Sequence, residues 1–105
     1  MNLTLPMLQI LIALADDDRH GYGILLEIEK RTAGFRLGTG TLYTALKRLL
    51  AKGLIEETEE RPAPDLDDAR RRYYRLTPEG RKAARDETTR LAGVVRMARA
   101  KELLR

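Results

Sequence analysis

The chain has no cysteine, no tryptophan, a single histidine (His20) and a single phenylalanine (Phe35). Without cysteine, disulfides and thiolate metal sites are excluded. With one histidine besides, no conventional zinc site is expected. No apolar run approaches the roughly 18 residues that a membrane span needs, so no membrane partner is expected. The N-terminus has neither the basic start nor the small-residue cleavage site of a signal peptide. Together with the missing cysteine, this leads to the expectation of a cytoplasmic protein. Signals for catalysis are also scarce. The glycines around residues 21–23 and 38–40 lack a Walker or dinucleotide pattern, and the acids lie in solvated runs rather than in pairs. His20 sits at a helix start and reads as a capping or packing residue rather than a general base. The expectation is a non-enzyme without cofactor or metal.

The 105 residues present are 43% apolar and 34% charged, which describes one globular domain with a modest core and a heavily charged surface. The net charge of +4 is unevenly placed. Up to residue 69, 12 acids face 8 bases, whereas from Arg70 onward 12 bases face 4 acids. A polyanion or an acidic partner surface would exploit that asymmetry.

Hydrophobic periodicity divides the chain into elements. Residues 5–15 are apolar almost throughout and read as a helix buried on most sides, capped by Asn2 or Thr4 and with Pro6 in its first turn. The acids Asp16, Asp17 and Asp18 sit where the helix dipole disfavours them and help to stop it. A second helix opens at His20 and Gly21 and runs to about Thr32, with Ile24, Leu25 and Ile28 as its stripe and Gly34 as its stop. A third covers residues 39–52, with Leu42, Leu46 and Leu49 at i, i+4, i+7, and ends at Gly53. Residues 55–61 and 70–76 suit two strands of a hairpin around a polar loop at 62–68. Thr77, Pro78 and Glu79 are a strong helix start: a capping hydroxyl, a first-turn proline and an acid near the positive dipole end. That last helix is expected to run to the C-terminus. Its apolar positions include Ala84, Leu91, Val94, Val95, Ala98 and Leu103. Nothing left in the chain covers this stripe fully, so a second copy is the simplest partner.

Three segments carry candidate chemistry. If Leu42, Leu46 and Leu49 face the core, the third helix turns Thr44, Lys47, Arg48 and Ala51 outward, with Thr39, Thr41 and Tyr43 near its N-terminus. Hydroxyls and cations on one helix face suit phosphate and base-edge contacts in a major groove. An ordinary solvated helix face has the same composition. Arg70, Arg71, Arg72 and Arg75 cluster on the return strand, where guanidinium forks can bind phosphate. They can equally pair with Glu56, Glu57, Glu59 and Glu60 across the hairpin. The acids of the 62–68 loop repel phosphate, which places any wing contact at the strand base. The cations of the last helix read chiefly as the solvated flank of a dimer helix, with stems that cover apolar surface.

Three blocks resemble the PadR-like transcriptional regulators, in particular the short members with one C-terminal helix. They are His20-Gly21-Tyr22-Gly23-Ile24, then Gly40-Thr41-Leu42-Tyr43-Thr44-Ala45-Leu46-Lys47-Arg48-Leu49 with Gly53-Leu54-Ile55, and Arg72-Tyr73-Tyr74-Arg75-Leu76-Thr77-Pro78-Glu79-Gly80. The resemblance implies a mainly α fold with a two-stranded β wing. A winged helix-turn-helix over residues 1–77 would be followed by a dimerisation helix over 78–105. It implies a homodimer, with the last helix helped by the first. It also implies double-stranded DNA as partner, repression at inverted-repeat operators, and relief by a small-molecule effector. Carried over by position, Tyr43 and Lys47 would contact DNA, with Thr41 near the backbone. The chain departs from the family pattern at Gly23, Thr44 and Gly38, where an acid, a proline and a serine are common. It also lacks the tryptophan with which some short members stack flat ligands. A protein-interaction module that kept the fold without specific DNA binding is the alternative.

Overall fold

In the computed structural model the chain forms α1 (Leu5–Ala13), β1 (Arg19–His20), α2 (Gly21–Arg31), α3 (Thr39–Ala51), β2 (Ile55–Thr58), β3 (Tyr73–Leu76) and α4 (Pro78–Ala100). The structure describes residues 3–32, 36–58 and 72–104. The expected helix stop at Gly34, the 62–68 loop and the inner ends of the two wing strands lie outside the described residues. The architecture is the expected winged helix with one addition. A third strand, β1, joins the hairpin in the order β1-β3-β2, antiparallel throughout. Arg19 pairs with Tyr74 and His20 with Tyr73. Two residues are too short to show a period of two, so periodicity could not reveal them.

The core lies where the three N-terminal helices meet the sheet. Ile10 and Leu11 of α1, Ile24 and Ile28 of α2, and Leu42, Leu46 and Leu49 of α3 are buried together with Leu54, Ile55 and Tyr74. Each such aliphatic side chain stabilises the fold by about 1.5–3 kcal/mol relative to an exposed one. The i, i+4, i+7 leucines therefore fix which face α3 turns inward and which it leaves in water.

The helix ends show local chemistry at work. Thr4 caps α1 by accepting from the Met7 N–H at 3.3 Å. The helix stops at Ala13, two residues earlier than its apolar run suggests, and cations meet the carbonyls at and just beyond its end. Arg19 Nε donates to the Ala13 carbonyl at 2.8 Å, and Arg81 Nη2 to that of Ala15 at 2.9 Å. The acids that follow are tethered in turn, Asp16 to Arg19 at 3.2 Å and Asp18 to Arg75 at 3.1 Å. On α2, the Arg31 hydrogen bond holds the Glu27 carboxyl below the usual carboxylate range.

α3 ends as expected at Gly53, whose φ of +71° is a left-handed conformation that glycine adopts without penalty. The Gly53 N–H reaches the Leu50 carbonyl and the Leu54 N–H reaches that of Leu49, the paired bonds of a Schellman cap. Thr77 then ties the next helix to this cap. Its hydroxyl donates to the Gly53 carbonyl at 2.7 Å and accepts from the Gly80 N–H at 3.0 Å.

α4 corrects one expectation. It does not run to the C-terminus but stops at Ala100, through a second Schellman cap. Glu102 adopts a φ of 62° there, and the Leu103 N–H donates to the Ala98 carbonyl at 2.9 Å. Leu103 therefore follows the helix instead of extending its stripe, and it is 82% exposed.

Candidate nucleic-acid interface

The outward face of α3 follows from its buried one. Thr39, Thr41, Tyr43, Thr44, Lys47, Arg48 and Ala51 are all exposed. Gly38 caps the helix without a side-chain hydrogen bond, and no acid occupies the first turn. The N-terminal N–H groups and the positive dipole end thus meet hydroxyl-bearing side chains and no competing carboxylate, an arrangement suited to phosphate oxygens. Lys47 and Arg48 make no ion pair among the described residues.

This face divides between two open grooves. On one flank, Thr41, Thr44 and Arg48 face Thr4, Pro6 and Met7 of the α1 entry across a groove of about 540 Å³. On the other, Tyr43 and Lys47 face the sheet across about 440 Å³, with His20, Tyr22, Glu57, Arg72 and Tyr74 on the far wall. Leu46 and Leu50 line the second groove as well. Tyr43 is half-exposed and lies over the start of α2, with its hydroxyl 3.2 Å from where a Gly21 Cβ would stand. The glycine there lets the two helices approach. Tyr74 is buried at the base of this groove. Burial, with the Glu57 charge adding to it, raises its hydroxyl above the usual phenol range.

His20 performs the capping and packing role expected of it. Its Nδ1 accepts from the Gly23 N–H at 2.9 Å, closing the N-terminus of α2. Its ring stands edge-on to Tyr73 at 5.4 Å and parallel to Tyr22 at 6.4 Å. One side chain therefore links the helix-turn-helix to the wing.

Of the wing arginines, Arg72 immediately precedes β3, on the loop side of the hairpin, and shares the groove with Lys47. It is tied across the hairpin to Glu57, at 3.0 and 3.2 Å to the two carboxylate oxygens. That is the cross-strand pairing weighed as the alternative for this cluster. Arg75 pairs instead with Asp18 of the α1–β1 turn and with Thr58 at 3.4 Å. Arg70 and Arg71 lie outside the described residues. Tyr22, part of the block at residues 20–24, and Glu57, expected only as an ion-pair partner across the hairpin, also line this groove, though neither was expected at the interface. The register that sets Glu57 opposite Tyr74 brings the carboxylate there.

The expected dimer residues sit apart from these grooves, toward the far end of α4. Leu91 and Ala98 are half-buried, whereas Val94 and Val95 remain 45% and 37% exposed and Met97 is more open still. Among the described residues, no group of three or more His, Cys, Asp or Glu side chains is placed to hold a metal ion. No helix among them is long and apolar enough to cross a membrane.

Residues 10–86 match the family model described as the transcriptional regulator PadR-like family. A transcriptional regulator of Mycobacterium tuberculosis is 38% identical over 89 residues, covering 85% of this chain and 78% of that protein. A 37.1 kDa protein in transposon TN4556 of Streptomyces fradiae is 43% identical over 83 residues. These are 79% of this chain but 22% of that protein, so the chain spans about a fifth of its length. Among solved structures, a PadR family transcription regulator from Clostridium difficile R20291 superposes with a TM-score of 0.77 at 28% identity, covering 92% of this chain and 97% of that one. Bacillus subtilis PadR, solved in complex with operator DNA, shares the fold with a TM-score of 0.67 at 22% identity, over 81% of this chain and 48% of that one.

Proposed function

The chain belongs to the PadR-like family of transcriptional regulators, and from that premise we propose that it represses transcription as a homodimer on an inverted-repeat operator. α3 enters the major groove of double-stranded DNA in each half-site. Thr39 and Thr41 meet the backbone at the helix N-terminus, and Tyr43, Thr44, Lys47 and Arg48 reach phosphates or base edges. Arg72 at the start of β3, with Arg70 and Arg71 beside it in sequence, approaches the adjacent backbone. The single observation that carries this reading is the outward face of α3. It offers two cations that make no ion pair among the described residues and four hydroxyl groups, with no acid in its first turn.

The dimer forms through α4, where Leu91, Val94, Val95 and Ala98 fall at i, i+3, i+4 and i+7 on one stripe, with Leu103 just beyond the cap. Exposed Leu5 and Ile12 on α1 support its help in the interface. A small-molecule effector that relieves binding belongs to the same proposal, seated on this apolar surface. Lacking tryptophan, the chain must hold such a ligand with aliphatic and polar side chains. A DNA-binding regulator of this kind works in the cytoplasm.

Titrating the DNA upstream of the chain's own gene with wild type and Lys47→Ala tests the proposal. If Lys47 contacts a phosphate, the variant should weaken binding about tenfold and reduce the salt slope by about one unit. Equal affinity and an equal slope would remove Lys47 from the interface.

A further inference from the structure

Within the groove between α3 and the sheet, the described side chains carry three formal charges: Lys47, Arg72 and Glu57. Lys47 is unpaired among the described residues. Arg72 is not, since its Nη1 donates to both oxygens of Glu57. Both members of that pair are substantially exposed, at 64% and 44% of their side-chain surface. An exposed ion pair of this kind is weak and salt-sensitive, so a competing anion can displace it. A phosphate oxygen arriving beside Lys47 would be such a competitor. Displacement then leaves the Glu57 carboxylate in the groove without its partner, beside a polyanion.

We propose that Glu57 attenuates DNA binding by competing internally with backbone phosphate for the Arg72 guanidinium. The inference rests on the DNA-binding reading above. A complex in which Arg72 turns to a phosphate first gives up the ion pair, so the free energy of the pair is subtracted from the electrostatic attraction that dominates non-specific binding. Glu57 therefore costs affinity on any duplex, and its effect requires Arg72 as its partner.

The test is a two-by-two set, wild type, Glu57→Gln, Arg72→Ala and the double variant, titrated against a short random-sequence duplex at low salt. Glutamine keeps the shape of Glu57 and removes its charge, and the pair is exposed, so all four proteins should share one thermal melt. Glu57→Gln is expected to tighten non-specific binding about three- to fivefold and to steepen the salt slope by up to about one unit. In the Arg72→Ala background the same substitution should gain little. No gain from Glu57→Gln overturns the inference, as does an equal gain with and without Arg72, which would indicate only long-range repulsion. In either case DNA binding stands as long as Lys47→Ala still weakens it. Failure of wild type and Glu57→Gln alike to bind any duplex would overturn both readings.

Discussion

Replacing Gly80 by alanine should cost about 3 kcal/mol or more, at the upper end of what overpacking a closely fitted site does. Gly80 sits in the first turn of α4 and is buried. A Cβ there would run into the Leu54 carbonyl oxygen and approach Leu76 Cδ1 to 2.8 Å. Backbone cannot rotate away as a flexible side chain can. Either α4 must lift off the α3 cap or the cap must open. Both routes break the Thr77 connections, since the Thr77 N–H donates to the same Leu54 carbonyl at 3.2 Å while its hydroxyl bridges Gly53 and Gly80. In a domain whose total stability is about 5–15 kcal/mol, the loss should lower the melting temperature by more than about 10 °C. Gly40 supplies the matched control. It lies within α3 with nothing in 4 Å of its would-be Cβ, so Gly40→Ala should stabilise by about 0.5–1 kcal/mol. A Gly80→Ala protein that melts with wild type would mean that α4 does not pack on the α3 cap.

The second large effect concerns assembly. The paired substitution Val94→Glu with Val95→Glu should break the proposed α4 dimer into monomers. It should raise the dimer dissociation constant at least about a hundredfold, since each fully buried valine contributes about 1.5–3 kcal/mol and a two-fold interface counts every change twice. Both valines are partly exposed in the single chain, so the winged body should keep its fold. Sedimentation measured beside a circular-dichroism spectrum separates these outcomes. A variant that stays dimeric at the wild-type concentration would place the interface elsewhere.

How much of this was legible in the sequence depended on whether a signal was local. Leu42, Leu46 and Leu49 announced both the buried face of α3 and, by subtraction, the exposed one. Thr77, Pro78 and Glu79 announced the start of α4, and the Thr77 hydroxyl does cap it. His20 at a helix start read correctly as a capping group. The features that escaped depend on partners distant in sequence. α1 ends at Ala13, where Arg19 and Arg81 donate to the carbonyls of Ala13 and Ala15, and Arg81 is 66 residues away from the carbonyl it meets. α4 stops at Ala100 although Glu102 is neither glycine nor asparagine, the usual markers of a left-handed cap. β1 exists only because β3 offers it an edge. The pairing of Arg72 with Glu57 needed the hairpin register to decide between phosphate ligand and ion pair, and the register, with Glu57 opposite Tyr74, puts Arg72 diagonally across from Glu57 on the same face.

The most direct test of a dimeric repressor reading DNA with α3 is a nuclease footprint of the full chain on its own upstream region. It should show two dyad-related half-sites whose centres lie about 10 base pairs, or a multiple of that, apart, as two-fold related recognition helices require. The whole footprint should weaken when Lys47 and Arg48 are replaced by alanine. A single site without dyad symmetry, or a footprint indifferent to those two residues, would contradict it.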